Sequence, residues 1–179
     1  EICTKVKNPR VIVADVRPEA VEKCVAEFSA MGIDITAGTV ENILFEDVDV
    51  VVPCACGGIF DEDNIPNLKC KIIWGSANNQ MKASGQEEEI RLAQLVADRG
   101  ILFQTDWWHN TAGVMFAWEE VVLQERADIK HVYEVIGEVL PRLTRENLKE
   151  SAELGLTPTA NAYRRCEEVL YGDAPVPYE

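Results

Sequence analysis

Several features that would assign the chain to a particular class are absent from its 179 residues. No run of about 18 consecutive apolar residues occurs, so the sequence offers no membrane-spanning helix. The opening residues, Glu1-Ile2-Cys3-Thr4-Lys5, lack the basic and then apolar run of a secretory signal. The chain also has no initiator Met, from which we expect a processed, cleaved or truncated product.

Positive charge is scarce as well. The chain has 17 Lys and Arg against 31 Asp and Glu, which gives a formal net charge of -14 at pH 7. A field of that sign repels phosphate backbones and anionic lipid. We therefore expect neither nucleic acid nor a membrane surface as a partner.

The six cysteines and two histidines form no recognisable metal site. The cysteines lie mostly inside apolar runs, at no zinc-ribbon spacing, in a chain large enough to fold without disulfides. Cys54 and Cys56 are the only close pair, and only His109 and His131 could assist them. We expect structural or cofactor-contacting thiols without metal, and reduced thiols indicate a cytoplasmic protein.

Short β-branched runs alternate with segments of helical spacing, as in βαβ units with a parallel sheet and right-handed crossovers. From Asp106 onward the alternation stops, and only helices are predicted. We expect a single partial domain with βα units in 1–106, C-terminal helices in 107–171 and a tail in 172–179. The predicted strands are 11–14, 33–35, 49–52, 71–74 and 101–103, and the predicted helices are 18–32, 87–97, 112–126, 129–144 and 158–171, with a helical turn at 65–68.

The sequence contains no G-x-G-x-x-G turn. A doubly wound nucleotide-binding domain normally begins with a strand, that turn and a helix, followed by a strand that ends in Asp or Glu. We interpret residues 1–6 as the last turns of that first helix and Asp15 as the acidic end of the second strand. The expected fold is a Rossmann-like doubly wound parallel sheet that lacks the first strand and the glycine-rich turn.

Asp15 is the candidate for binding the adenosine ribose. A carboxylate at this position accepts hydrogen bonds from the ribose hydroxyls and repels a 2′-phosphate, which favours NAD over NADP. Two alternatives stay open. Arg17 could partner a 2′-phosphate, and Asp15 could instead cap the helix that begins at Pro18.

Four ordered motifs resemble the leucine, phenylalanine and valine dehydrogenases. The first motif, at 49–59, contains Pro-Cys-Ala-Cys-Gly-Gly, where the family reads Pro-Cys-Ala-Leu-Gly-Gly. The Asp-Trp-Trp-His-Asn-Thr-Ala-Gly-Val stretch is similar to the family's Asp-x-x-x-Asn-Ala-Gly-Gly-Val. A Gly-Leu-Thr-Pro turn also precedes the last helix, and the resemblance covers essentially the whole chain. The other motifs and this turn lie at 64–69, 75–80, 106–114 and 155–158.

The resemblance implies a set of site residues. Asn79 is expected to contact both the nicotinamide and the polar head of the substrate, although an Asn after a strand is also common turn chemistry. Asn110 is expected to close the nicotinamide site or to cap a helix. The implied cofactor-binding residues are Asp15, Val16, Arg17, Cys54, Ala55, Cys56, Ser76, Ala77, Asn78, Asn79 and Asn110. The implied substrate residues are Asn79, Val114 and Ala117, where the small Ala117 indicates a bulkier amino acid.

The implied parent enzyme oxidises an apolar or aromatic L-amino acid with NAD, giving a 2-oxo acid, ammonia and NADH. In that family the catalytic lysine and carboxylate come from an N-terminal substrate domain, so we expect no catalytic residue here, an inactive fragment and a homo-oligomeric parent. Two alternatives are a non-catalytic nucleotide-sensing or assembly module and the glutamate dehydrogenase branch. His109, which departs from the family pattern, is interpreted as structural, and the acidic run 87–89 as a solvated helix start.

Overall fold

A computed structural model describes residues 6–124 and 127–172. It divides the chain into two compact units, Glu1–Val48 and Asp49–Glu179. The helical turns expected in 1–5, the end of the helix predicted to reach 126 and the tail from 173 lie outside the described residues.

The first unit is built around one parallel strand pair. Strand β1 (Arg10–Val13) pairs with β2 (Asp34–Ala37) in a register that sets Val11 beside Ile35. Helix α1 (Pro18–Ala30) connects the two strands, and a 3-10 turn follows at Ile43–Phe45.

Helix α1 begins and ends as the sequence predicts. Pro18 occupies the first helical position, where its missing N–H costs nothing. After the helix, Gly32 adopts a left-handed conformation with φ of +80°. The N-cap residue is Arg17, which makes no side-chain capping hydrogen bond, so Asp15 does not cap this helix.

The second unit has a three-stranded parallel sheet in the order β3-β4-β5. The strands are β3 (Val50–Val51), β4 (Ile72–Ile73) and β5 (Leu102–Phe103), and a 3-10 turn at Ile65–Asn67 precedes β4. Helix α2 (Gln86–Asp98) connects β4 to β5. The core of this unit includes the buried side chains of Val51, Ile73, Phe103, Leu92 and Val96.

Every strand pair among the described residues is parallel, which confirms the predicted α/β class. The strands of the second unit are shorter than predicted, with two residues each, because the apolar pattern continues into the segments that leave the sheet. Their positions along the chain agree with the prediction.

The helical region after β5 is more divided than predicted. An unpredicted short helix, α3 (Asp106–His109), comes first, and α4 (Ala112–Trp118) then passes into a π-helical turn at Glu119–Leu123. The region predicted as a single helix over 129–144 is helical throughout, but a π turn divides it. The structure has α5 (Ile129–Glu134), a second π turn (Val135–Val139) and α6 (Leu140–Leu154).

Pro141 explains the division of that helix. It lies in the first turn of α6 and has no N–H to give to an α-helical hydrogen bond, so the wider π turn precedes it. Helix α6 then continues ten residues beyond the predicted end. It stops only at Gly155, which adopts φ of +68°.

The last helix agrees with the prediction. Helix α7 (Pro158–Tyr171) starts after Thr157, whose hydroxyl accepts a hydrogen bond from the N–H of Ala160 at 3.1 Å. Fully buried amides join it to α6, since Nδ2 of Asn161 donates to Oδ1 of Asn147 at 2.9 Å. None of the helices in the described residues is long and apolar enough to cross a membrane.

Candidate functional site

Three segments meet where the strands of the second unit end. They follow β3, β4 and β5 and comprise residues 52–59, 74–80 and 104–110. In a parallel sheet all carboxyl ends lie at one edge, and this edge is where ligands bind in open α/β sheets. Hydrogen bonds between the segments show that they form one surface.

The first two segments approach each other backbone to backbone. The N–H of Ala77 donates to the carbonyl of Pro53 at 3.0 Å, and that of Gly58 donates to the carbonyl of Asn79 at 2.7 Å. A Cβ on Gly75 would lie 2.1 Å from the Pro53 oxygen, and one on Gly57 would lie 2.3 Å from the Asn78 oxygen. Both positions therefore require glycine.

Asn79 is held in a conformation that few side-chain-bearing residues adopt, with φ of +52°. Its N–H donates to Oδ2 of Asp106 at 2.9 Å, and the N–H of Gln80 donates to Oδ1 of the same carboxylate at 3.3 Å. Asp106 is only 2% exposed. The backbone of Asn79 is thus bonded on both sides, while the residue itself is exposed.

His109 and Asn110 bond to the first half of the same loop. Nε2 of His109 lies 3.0 Å from the carbonyl oxygen of Gly75, which can only accept, so this nitrogen carries the hydrogen. Nδ2 of Asn110 donates to the carbonyl of Ser76 at 3.3 Å and to Oδ1 of Asn78 at 2.6 Å. Residues 106–110 therefore contact the 75–80 loop from one end to the other.

The environment of His109 fits a structural role. Its ring stacks on Trp74 with centroids 4.5 Å apart. Burial lowers the pKa of the imidazole, only partly offset by the carbonyl of Gly75 and the charge of Asp106. These contacts fit the interpretation of His109 as a structural residue.

The expected site residues of the second unit lie at this edge. Cys54, Ala55, Cys56, Ser76, Asn78 and Asn79 are exposed, whereas Ala77 is buried. The five described cysteines are free, and burial raises the pKa of the Cys70 thiol. Nowhere in residues 6–124 and 127–172 do three or more His, Cys, Asp or Glu side chains gather as a metal site would require.

The expected site residues of the first unit follow β1. Oδ1 of Asp15 accepts from the backbone N–H of Arg17 at 2.9 Å and from its Nε at 3.1 Å. These bonds, with the side-chain bond the larger cause, hold the pKa of the Asp15 carboxyl below its usual value. Val16 is 81% exposed.

Val114 and Ala117, the expected substrate residues, lie exposed on α4. Two further residues of the edge received no role from the sequence. Asp106 was visible as the first residue of the Asp-x-x-x-Asn motif, but its partners are 26 and 27 positions away. The buried Gln80 donates through Nε2 to the carbonyls of Gly75 and Ala77 at 2.9 and 3.0 Å, which closes the loop on itself.

The acidic run at the start of α2 is only partly solvated. Glu87 is exposed, but Glu89 accepts hydrogen bonds from Oγ1 of Thr105 and from the hydroxyl of Tyr163, both at 2.6 Å. The expectation of a solvated run is wrong for Glu89, because the segment after β5 and helix α7 both reach it. Burial, together with the hydrogen bond to Glu89, raises the pKa of the Tyr163 hydroxyl.

An open cleft of about 600 Å³ adjoins the loops. Its walls come from the first two segments and from the chain leading into α2. The lining residues are Gly57, Gly58, Asn78, Asn79, Met81, Lys82, Ala83, Ser84 and Glu88.

Comparison with known proteins finds no matching family model but clear relatives. Leucine dehydrogenase of Geobacillus stearothermophilus is 34% identical over 146 residues, covering 79% of this chain and 37% of that protein. Valine dehydrogenase of Streptomyces coelicolor is 29% identical over 175 residues, covering 96% of this chain and 44% of that protein. Phenylalanine dehydrogenase of Lysinibacillus sphaericus is 26% identical over 166 residues, covering 90% of this chain and 40% of that protein.

Solved structures give the same relationship. L-tryptophan dehydrogenase from Nostoc punctiforme superposes with a TM-score of 0.75 and 27% identity, over 89% of this chain and 44% of that chain. A hetero-hexameric glutamate dehydrogenase from Thermus thermophilus matches with a TM-score of 0.58 and 16% identity, which shows likeness of fold alone. The chain spans less than half the length of these relatives.

Proposed function

Since this chain is a relative of the leucine, valine and phenylalanine dehydrogenases over most of its length, we propose that it is the NAD-binding portion of an L-amino-acid dehydrogenase. The proposed parent reaction is oxidative deamination of an apolar or aromatic L-amino acid to a 2-oxo acid and ammonia, with reduction of NAD. Bound NAD would supply the hydride acceptor. The residues of this chain would bind and orient it.

The observation that carries this proposal is the turn at Asn79. Few non-glycine residues adopt a positive φ, which asparagine tolerates better than most, and such residues cluster at ligand-binding sites. Here both backbone polar groups of Asn79 are bonded within the protein, while the residue stays exposed at the sheet edge. Its side chain is therefore the part offered to a ligand.

The polar groups around Asn79 fit a nicotinamide nucleoside. The segments 53–58 and 75–80 carry thiols, a hydroxyl and amides but no charged side chain. Amides both donate and accept, as a carboxamide and ribose hydroxyls require, without placing a charge beside a hydride path. Ser76, Asn78 and Asn79 are the residues we assign to the nicotinamide side, and Cys54, Ala55 and Cys56 to its neighbouring ribose.

Asp15, Val16 and Arg17 are assigned to the adenosine side. An acidic residue directly after a strand is the usual partner of the ribose hydroxyls of NAD. Arg17 is already bonded to Asp15, which reduces its capacity to bind a 2′-phosphate. We therefore propose NAD rather than NADP.

Asn79, Val114 and Ala117 are assigned to the substrate side. Val114 and Ala117 are exposed and three positions apart on α4, close to one turn of the helix. The small side chain of Ala117 leaves room for a large apolar substrate. We propose that the substrate domain of a homo-oligomeric parent supplies the remaining contacts and the catalytic lysine and carboxylate.

The five described cysteines are free, which fits a reducing compartment, and we propose that the protein lies in the cytoplasm.

The first prediction is that this 179-residue chain binds NAD at about millimolar strength and turns over no amino acid. Its sequence lacks the glycine-rich turn, whose backbone donors and helix dipole bind the pyrophosphate. Dipole contacts of this kind are worth roughly 0.3–2 kcal/mol, and each charge-assisted hydrogen bond adds roughly 1.5–3 kcal/mol. Since about 1.4 kcal/mol is tenfold in affinity, losing the dipole and one or two such bonds weakens a micromolar site to about millimolar. The measurements are a ligand-detected NMR titration with NAD and NADP, and an absorbance assay for NADH with leucine, valine, phenylalanine and tryptophan.

Asn79→Gly is the informative variant for this experiment, because glycine keeps the positive φ and removes only the side chain. It should weaken NAD binding. Asn67→Gly, which removes an exposed amide elsewhere in the same unit, should leave it unchanged. Failure of the wild-type chain to bind NAD would refute the cofactor assignment, and turnover of any of the four amino acids would refute the proposal that catalysis needs another domain.

A further inference from the structure

Asp106 is a buried carboxylate with an unusual set of partners. Asp106 follows β5, and each of its oxygens accepts a backbone N–H from the loop that follows β4, Oδ2 from Asn79 at 2.9 Å and Oδ1 from Gln80 at 3.3 Å. With 2% of its surface exposed, the residue is almost completely screened from water. Hydrogen bonds to an ionised acceptor are about twice as strong as neutral ones, and burial strengthens them further.

We propose that Asp106 is a positioning residue, which holds the Asn79–Gln80 turn in the shape that presents the Asn79 side chain to the nicotinamide end of the cofactor. This inference rests on the proposed function. A positive φ at a non-glycine residue is unstable unless the surrounding structure compensates for it. The two bonds to Asp106, together with the Gly58 N–H on the Asn79 carbonyl, provide that compensation.

Neutral side chains hold the rest of the loop, so the charge of Asp106 acts only at the Asn79–Gln80 turn. Gln80 bonds the carbonyls of Gly75 and Ala77, and Asn110 bonds the carbonyl of Ser76. None of these bonds involves the backbone N–H of Asn79. Removal of the Asp106 charge should therefore loosen the Asn79 turn while the beginning of the loop stays in place.

Asp106→Asn is the direct test. Asparagine has the same shape, but its amide nitrogen is a donor and cannot accept one of the two N–H groups. We expect NAD to bind roughly tenfold more weakly, which corresponds to the loss of one charge-assisted hydrogen bond. ADP-ribose lacks the nicotinamide, so its binding should not change. A role confined to general stability would weaken both ligands alike.

Asp61→Asn is the matched control. Oδ1 of Asp61 also accepts two backbone N–H groups, from Asp63 and Asn64 at 3.1 Å each, and neither belongs to the Asn79 turn. Amide hydrogen exchange should accelerate at Asn79 and Gln80 in Asp106→Asn, and at Asp63 and Asn64 in Asp61→Asn. The control should bind NAD and ADP-ribose as the wild type does.

The outcomes separate the two proposals. A wild-type chain that binds neither ligand refutes the proposed function. In another outcome the wild-type chain binds both ligands, while Asp106→Asn leaves both affinities unchanged or lowers them equally. That result overturns only the positioning role. If Asp106→Asn does not fold, Asn79→Gly decides, because unchanged NAD binding by that variant would mean that the turn presents nothing to the nicotinamide.

Discussion

His109 and His131 respond to folding in opposite directions. Burial lowers the pKa of His109, whereas a hydrogen bond to the carboxylate of Glu119 raises that of His131. The stabilisation linked to neutral His109 is complete above its unfolded pKa of about 6.5 and is lost as the pH falls through the folded value. The contribution of His131 is complete below about 6.5 and is lost as the pH rises through its folded pKa.

Because the chain has only these two histidines, each can be tested by a single substitution. His109→Gln should reduce the loss of unfolding free energy between neutral and acid pH, since glutamine takes up no proton. His131→Gln should increase that loss. The measurement is urea denaturation of the three proteins at pH values on either side of 6.5. An unchanged acid dependence in His109→Gln would show that burial of this ring does not govern stability.

The two glycines that join the loops of the second unit can be tested at the scale of the element. In Gly57→Ala the new methyl group would collide with the backbone oxygens of Asn78 and Asn79, which cannot move aside as a side chain can. We expect a loss of about 1–3 kcal/mol in unfolding free energy. The control is Gly137→Ala, where nothing lies within 4 Å and a helical alanine should stabilise by up to about 1 kcal/mol. Equal melting temperatures would contradict the close packing of the loops.

Elements with local signals were predictable and those that depend on distant partners were not. The β-branched runs placed all five strands, and the Thr157-Pro158 pair placed the last helix. The two π turns, Glu119–Leu123 and Val135–Val139, were not predicted, because their apolar residues have the spacing of an ordinary helix. The motifs predict Asn79 and Asn110 as site residues, whereas the contacts of Asp106 join positions that no local pattern relates.

Across the whole molecule, buried apolar side chains are unevenly distributed. In the described part of the first unit only the side chains of Val21 and Ile35 are buried, and the other core side chains belong to the second unit. Local opening costs less where fewer apolar groups are buried. We therefore predict faster amide hydrogen exchange in β1 and β2 than in β4 and β5, measured by mass spectrometry of peptides at neutral pH. Slower exchange in the first unit would contradict this distribution of stability.

The loop after β4 is held almost entirely through its main chain. The groups that Asp106, His109, Gln80 and Gly58 recognise are N–H and C=O groups, which every residue except proline offers in full. The side chain at 76 is therefore free to vary while the scaffold stays constant, whereas position 79 admits only residues that tolerate a positive φ. Ser76 is thus a natural position for a randomised library, in which new ligand preferences can be selected without first redesigning the loop.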